Sequence, residues 1–125
     1  MTNPYTDNLR KYVADIKARQ ATPLICTLIP RNTWADGKLS RTDQHAVWAR
    51  SVATQEKVPL LDLNNAIADE YDKIGKEATA ALFESGPHTN RKGAELNANV
   101  VYDLLRAFPD DPVKKFVREK PAANW

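Results

Sequence analysis

The apolar positions of the chain alternate between helical spacing and short continuous runs. Apolar residues recur at helical spacing over roughly residues 4–19, which predicts an amphipathic helix. They are Leu9, Tyr12, Val13 and Ile16. The run over 23–29 is nearly all apolar and ends at Pro30, which is typical of a strand covered on both faces. We therefore expect an interior parallel strand after the first helix.

The same alternation continues along the chain. The further predicted elements are a loop over 31–41 with Asp36-Gly37 as its turn, a helix over 42–57, a buried strand over 58–63, a helix ending at Gly75, and a short helix over 76–83. This order is helix, strand, helix, strand, helix. It predicts an α/β fold with parallel strands.

A polar turn over 84–90 precedes the most strongly amphipathic stretch of the chain. Thr89 or Asn90 is expected to cap this helix. Its apolar positions are Leu96, Val100, Val101, Leu104, Leu105 and Phe108. Pro109 and Pro112 end it, and Pro112 suits the first turn of a final short helix that carries Val113, Phe116 and Val117.

The pattern contains only two convincing strands, which is few for a sheet. A sheet of two strands leaves two edges whose backbone groups are free to pair with another chain. Two interpretations follow. Either another protomer completes the sheet, or residues 1–125 form part of a larger domain.

Composition narrows the class of protein. The 125 residues are 42% hydrophobic, which fits one domain with one core. The net charge of +2 comes from interspersed acids and bases, so no nucleic-acid partner is expected. No apolar run is long enough for a membrane span and the start lacks a signal-peptide pattern, so we expect a soluble, cytoplasmic chain. The lone Cys26 is expected to be a small buried hydrophobe rather than a reactive thiol.

His88 is the most informative candidate for chemistry. It follows Gly86-Pro87 and precedes a helix, a position at which an imidazole is expected near the strand ends, where open α/β sheets bind ligands. The alternative interpretation is a solvent-exposed or capping histidine. His45, at the start of a helix, is expected on the surface.

The sequence offers no recognisable nucleophile for this histidine. The serines are Ser40, Ser51 and Ser85, and none lies in a Gly-x-Ser-x-Gly elbow. Ser85 is three residues from His88, but serines of short polar turns usually bond the backbone. The glycines are dispersed and the two histidines and one cysteine are separated, so neither a cofactor nor a metal is expected.

Four segments together resemble the C-terminal part of SGNH (GDSL-type) hydrolases, specifically the rhamnogalacturonan acetylesterase-like carbohydrate esterases. They are LRKYV (9–13), ATPLICTLIPR (21–31), VPLLDL (58–63) and HTNRKGAELNA (88–98). The resemblance implies a truncated three-layer, flavodoxin-like architecture with about two parallel strands and flanking helices. It also implies a single partial domain that lacks the family's nucleophile and oxyanion blocks and three leading strands.

On this resemblance His88 is the general base. Ser85 stands where the family has the aspartate that orients the base, and Glu84 is the nearest carboxylate that could replace it. Arg31 and Trp34 are the candidate substrate-binding residues.

Three functions are therefore carried forward. The first is a serine-type hydrolase of short acyl (acetyl) esters of carbohydrates, or a protein derived from one. The second is a non-catalytic fragment that self-associates, as a dimer that completes the sheet through exposed strand edges. The third is a remnant that binds a sugar through Arg31, Trp34 and the loop around His88.

Overall fold

Helices alternate with short strands in a mixed α/β arrangement. The computed structural model describes residues 3–107 and 114–119. The helices are α1 (Pro4–Ala18), α2 (Gln44–Glu56), α3 (Leu63–Ile74), α4 (Lys76–Ala80) and α5 (Arg91–Ala107), and a 3₁₀ turn spans Lys114–Phe116. The strands are β1 (Ile25–Cys26), β2 (Trp34–Ala35), β3 (Lys38–Leu39), β4 (Leu60–Leu61), β5 (Phe83–Ser85) and β6 (His88–Thr89).

The two strands predicted from apolar runs form a parallel pair, β1 with β4. Ile25 lies opposite Leu60, and Cys26 lies opposite Leu61. The Ile25 N–H donates to the Pro59 carbonyl at 3.0 Å and the Thr27 N–H donates to the Leu61 carbonyl at 3.1 Å. The predicted helix α2 connects them, as the βαβ pattern requires. The regular part of each strand is shorter than predicted.

The prediction that the first strand is covered on both faces is wrong. Ile25 and Thr27 are buried against the helices, but Cys26 between them is exposed. Leu28 and Ile29, which follow, are 52% and 40% exposed. Helix α5 packs on β4 more than on β1. The face of β1 that carries Cys26 is therefore left exposed by the described residues. The expected burial of Cys26 is wrong for the same reason.

Two stretches predicted as loops contain antiparallel hairpins. In the first, Trp34 pairs with Leu39 around the predicted Asp36-Gly37 turn, whose residues both have positive φ (50° and 75°). This is the backbone that a two-residue type I′ hairpin turn needs, and Asp-Gly favours it. In the second hairpin, β5 pairs with β6. Strands of two or three residues are too short to show alternation in the sequence.

Two predicted helix ends agree with the structure, but the short helix predicted over 76–83 ends at Ala80, and Phe83 begins β5. Helix α3 ends before Gly75, whose φ of 85° few other residues adopt. Asn90, one of the two predicted caps of α5, accepts a hydrogen bond from the Gly93 N–H at 3.1 Å through its side chain. Phe108 and Val113 lie outside the described residues. No helix within 3–107 or 114–119 is long and apolar enough to cross a membrane.

Two hydrophobic clusters hold the elements together. The first cluster joins α1 and α2 to β1 and consists of Val13, Ile25, Ala49, Val52, Ala53 and Val58. The second joins the first hairpin to α3, and consists of Leu39, Ile67, Ala68 and Tyr71, against which Trp34, Leu63, Leu82, Phe83, Leu96 and Val100 pack. The second cluster therefore gathers the elements that follow the carboxyl ends of both parallel strands.

Gly93 allows α5 to approach the second hairpin closely. A Cβ at this position would lie 2.9 Å from the Thr89 Cβ and closer still to the Leu82 carbonyl oxygen. We expect Gly93→Ala to destabilise the fold by about 2 to 3 kcal/mol, because a backbone carbonyl cannot move aside as a flexible side chain can. Urea unfolding measures this change.

Asn99→Ala, at an exposed position of the same helix, is the control and should be neutral or slightly stabilising. Helix propensity alone predicts that Gly93→Ala gains about 1 kcal/mol. A gain of that sign would contradict the close approach.

Candidate functional site

The hairpin β5–β6 presents the candidate catalytic residues. Ser85 lies opposite His88 in the register, so their side chains extend from the same face of the hairpin. Gly86 has a φ of 52° and is followed by Pro87, which suits a tight two-residue turn with glycine first. Phe83, at the start of β5, packs its ring edge on Tyr71 with 5.9 Å between centroids. The hairpin is thus anchored to the second cluster.

No residue that the structure describes bonds to the His88 imidazole in a way that would orient it. His88, Glu84 and Ser85 are all exposed, and no hydrogen bond or ion pair joins any two of them. A general base of the triad type needs a second group to hold its tautomer and direction. Ser85 lies opposite His88 in the hairpin, but within residues 3–107 and 114–119 no carboxylate bonds to the ring.

The two candidate substrate-binding residues occupy different environments. Arg31 is exposed, and its guanidinium makes no hydrogen bond or ion pair with a described residue. Trp34 is half-buried, and its indole N–H donates to the Asn32 side chain at 2.7 Å. Its ring packs on the second cluster, so a structural contribution is observed. Neither residue contacts the His88 hairpin through a hydrogen bond.

His45 is on the surface, as predicted, with its side chain 51% exposed. It forms a small aromatic group with Tyr5 and Trp48, at centroid distances of 5.1 and 5.3 Å. Tyr5 lies in the first turn of α1, and His45 and Trp48 lie near the start of α2, so these contacts join the N-terminal ends of the two helices.

A polar network that the sequence pattern did not reveal lies at the carboxyl end of β4. Arg50 binds both oxygens of Asp62, at 2.9 Å from Nε and 3.0 Å from Nη2. The Thr27 hydroxyl donates to the same carboxylate at 3.0 Å. Partial burial alone would raise the pKa of Asp62, but the hydrogen bonds from Arg50, the Asn65 N–H and Thr27 outweigh it and lower the pKa.

Both carboxylate oxygens of Asp62 therefore accept hydrogen bonds from other parts of the fold. Asp62 caps α3 and joins this helix to α2 and β1. The only sign of this network in the sequence was Asp62, an acidic residue at the end of a predicted strand. Arg50 lies on a separate helix, so its pairing with Asp62 could not be predicted from local sequence. The network fixes the geometry at the carboxyl ends of both strands.

A second carboxylate network fixes the first hairpin on α3. Asp72 accepts the Leu39 N–H at 2.7 Å and the Arg41 guanidinium at 2.6 Å. The hydrogen bond from the Leu39 N–H, with help from Arg41, holds the pKa of Asp72 below its ordinary value. A lowered carboxylate pKa means that the folded state favours the charged form.

We expect acid to weaken the fold through Asp72. A depressed pKa contributes stability above the unfolded value of 3.8, and this contribution is lost as the pH falls through the lower folded value. Asp72→Asn should cost about 1 to 2 kcal/mol at neutral pH. The difference from the unmodified chain should shrink below about pH 4, as urea unfolding at several pH values would show.

Asp36→Asn is the matched control, because Asp36 is exposed and asparagine accepts its positive φ. It should change stability little at either pH. A cost for Asp72→Asn that persists unchanged in acid would contradict the charge-based explanation.

Metal chemistry finds no support in the described part of the chain. No group of three or more histidine, cysteine or acidic side chains there is placed to hold an ion. The thiol of Cys26 is exposed, yet partial desolvation raises its pKa. A raised pKa disfavours the reactive thiolate.

The described residues thus define a mixed α/β chain with a parallel strand pair and flanking helices. A crystal structure of protein YxiM from Bacillus subtilis has a similar fold, with a TM-score of 0.75. The two sequences are 26% identical over 81% of this chain, which spans 30% of the length of that one. No protein-family profile and no curated protein matches the chain.

Proposed function

We propose that the chain is the histidine-bearing part of an SGNH (GDSL-type) hydrolase domain, in the rhamnogalacturonan acetylesterase-like group of carbohydrate esterases. Its proposed substrates are short acyl (acetyl) esters of carbohydrates. Its three-layer architecture is proposed to be incomplete in these residues. The order β1, α2, β4 in a parallel pair supports this proposal. The close approach of Gly93 supports it too, because it explains why glycine follows the histidine in the HTNRKGA segment.

The observation that carries the proposal is the exposed position of the His88 side chain on the β5–β6 hairpin. Its side chain is solvent-exposed on a hairpin that is anchored to the second cluster and leads directly into α5. A histidine in this setting can take a proton from a nucleophile and return it to the leaving alcohol. Of the two alternative interpretations, the capping histidine is disfavoured because Asn90 is the residue that caps α5. The other, a solvent-exposed turn histidine without a chemical role, agrees with the exposed position of His88 and is distinguished from a general base by the hydrolysis test.

The nucleophile is the missing partner in this scheme. Ser85 shares a face of the hairpin with His88 but makes no hydrogen bond with it. Activation of a serine requires the base within hydrogen-bond reach. A covalent probe is therefore the direct way to find the nucleophile.

The test is hydrolysis of 4-nitrophenyl acetate by the purified chain, combined with labelling by a serine-reactive phosphonate. The proposal expects hydrolysis above the rate of free imidazole, and one labelled serine or threonine identified by mass spectrometry. Absence of both would overturn the proposed hydrolysis and leave a non-catalytic protein.

The second candidate function is self-association through the open edge of β1. In the parallel pair, Ile25 and Thr27 donate toward β4, so the N–H and C=O of Cys26 point to the opposite edge. Leu28 and Ile29 lie exposed beside this edge. Unpaired backbone groups next to apolar side chains favour pairing with a further strand. We propose a second copy of the chain as the occupant.

A further inference from the structure

The base of the β5–β6 hairpin follows one regular antiparallel register. The Asn90 N–H donates to the Leu82 carbonyl at 2.9 Å. The next residue, Phe83, lies opposite Thr89, one step forward on one strand and one step back on the other. The Phe83 ring packs on Tyr71, so this end of the hairpin is anchored to the second cluster.

A β-bulge interrupts this register one residue further on. The regular ladder would place Glu84 opposite His88. The structure instead places Ser85 opposite His88, which leaves Glu84 as the extra residue of the bulge. Bulges change the direction of side chains and are common beside active sites. The bulge therefore decides whether a hydroxyl or a carboxylate lies opposite the imidazole.

We propose that the hairpin also adopts the regular register, in which Glu84 lies directly opposite His88 and positions its imidazole. The anchored pair of Phe83 and Thr89 is common to both registers. The turn lengthens from two residues to the three residues 85–87, and both lengths are common in hairpins. Residues 84–88 are all exposed, so no buried side chain has to move.

The regular register brings a carboxylate to the imidazole of His88. Residues directly opposite on antiparallel strands have Cβ atoms about 4.5 to 5.5 Å apart, which is within reach of a hydrogen bond between these two side chains. A carboxylate in this position selects one tautomer of the imidazole and stabilises the imidazolium that forms when the base takes a proton. Glu84 is then a positioning residue, which acts on the reaction through His88.

This inference rests on the proposed role of His88 as general base, but its test does not depend on hydrolysis. The measured quantity is the ratio of the two neutral tautomers of His88, read by NMR from the chemical shifts of the imidazole nitrogens. A selected tautomer supports the positioning by Glu84 whether or not the chain hydrolyses esters. The ester assay tests the proposed function separately.

Two deletions separate the effect of the carboxylate from that of the bulge. Deletion of Ser85 removes the bulge and leaves Glu84 opposite His88 across the same Gly86-Pro87 turn. Deletion of Glu84 also removes the bulge but leaves Ser85 opposite His88, so it is the matched control. We expect the Ser85 deletion to favour one tautomer about tenfold more than the Glu84 deletion does, because a hydrogen bond to a charged acceptor stabilises the nitrogen that donates it.

Glu84→Gln tests the inference in the chain of natural length. The exposed position of Glu84 makes this substitution mild for the fold. Because the regular register is populated in the unmodified chain, the tautomer ratio of His88 should shift toward that of the Glu84-deleted chain. Glu77→Gln, which changes an exposed carboxylate of α4, is the control and should leave the ratio unchanged.

Two results would overturn the proposal. One is an equal tautomer ratio in the two deletion variants, which would show that a carboxylate opposite His88 does not position the ring. The other is an equal ratio in Glu84→Gln and in the unmodified chain, which would show that the chain keeps the bulged register.

Discussion

Replacing His88 with alanine should reduce ester hydrolysis by about 100-fold or more, because general-base catalysis typically contributes that much to the rate. The exposed position of His88 makes this substitution mild for the fold, since the side chain bonds no described residue. A loss of rate with an unchanged unfolding midpoint would then be a chemical effect. The measurement is the rate of 4-nitrophenyl acetate hydrolysis under saturating substrate.

His45→Ala is the matched control, because His45 is the other histidine of the chain and its side chain is 51% exposed. Any nonspecific imidazole catalysis should fall equally in the two variants. Ser85→Ala distinguishes a nucleophile on the same hairpin from one elsewhere. Equal rates for His88→Ala and the unmodified chain would remove His88 from the reaction.

The pH profile adds an independent check. A general base acts only in its deprotonated form, so the hydrolysis rate of the unmodified chain should rise with pH. If hydrolysis remains after the histidine is replaced and shows no such rise, another group supports it.

Much of the helical framework could be predicted from the sequence. The helix over 4–19 and the glycine that ends α3 follow from apolar spacing and from the backbone preference of Gly75, which are local properties. The parallel pairing of β1 with β4 followed from the βαβ order of elements. The hairpins were missed because their pairing spans only a few residues.

The main error was the prediction that β1 is covered on both faces. The cause of this error lies outside the strand itself. An apolar run shows that a strand can be buried on both faces, but not that a neighbouring element is present to bury it. Cys26 is exposed because α5 packs on β4, one strand away. The sequence therefore predicted that this apolar run forms a strand, but not which elements pack around the strand.

The candidate site shows a similar division. His88 was identified from its position before a helix, and the structure places it on an exposed hairpin. The network of Arg50 with Asp62 was not identified, because its members belong to different elements and none matches a motif. Such sites depend on tertiary contacts that a single sequence does not display.

Self-association through β1 should make the chain dimeric, with a mass in solution twice the 14.0 kDa of one copy. Closed dimers place the same surface of both copies about a twofold axis, so two β1 edges would pair antiparallel. Near the axis, Cys26 of one copy would approach Cys26 of the other. Directly opposed residues in such a pair lie about 4.5 to 5.5 Å apart at Cα, within the range of a disulfide.

Mild oxidation should therefore convert the dimer into a covalent one that Cys26→Ser cannot form. Leu28→Lys places a charge beside the edge and should weaken dimerisation about tenfold or more, as measured by light scattering across a dilution series. Val47→Lys is the control, since Val47 is 46% exposed but belongs to helix α2 and not to the strand edge. A monomer at all concentrations, or equal weakening by both lysines, would exclude β1 as the interface. Dimerisation without oxidative cross-linking would instead place the twofold axis away from Cys26.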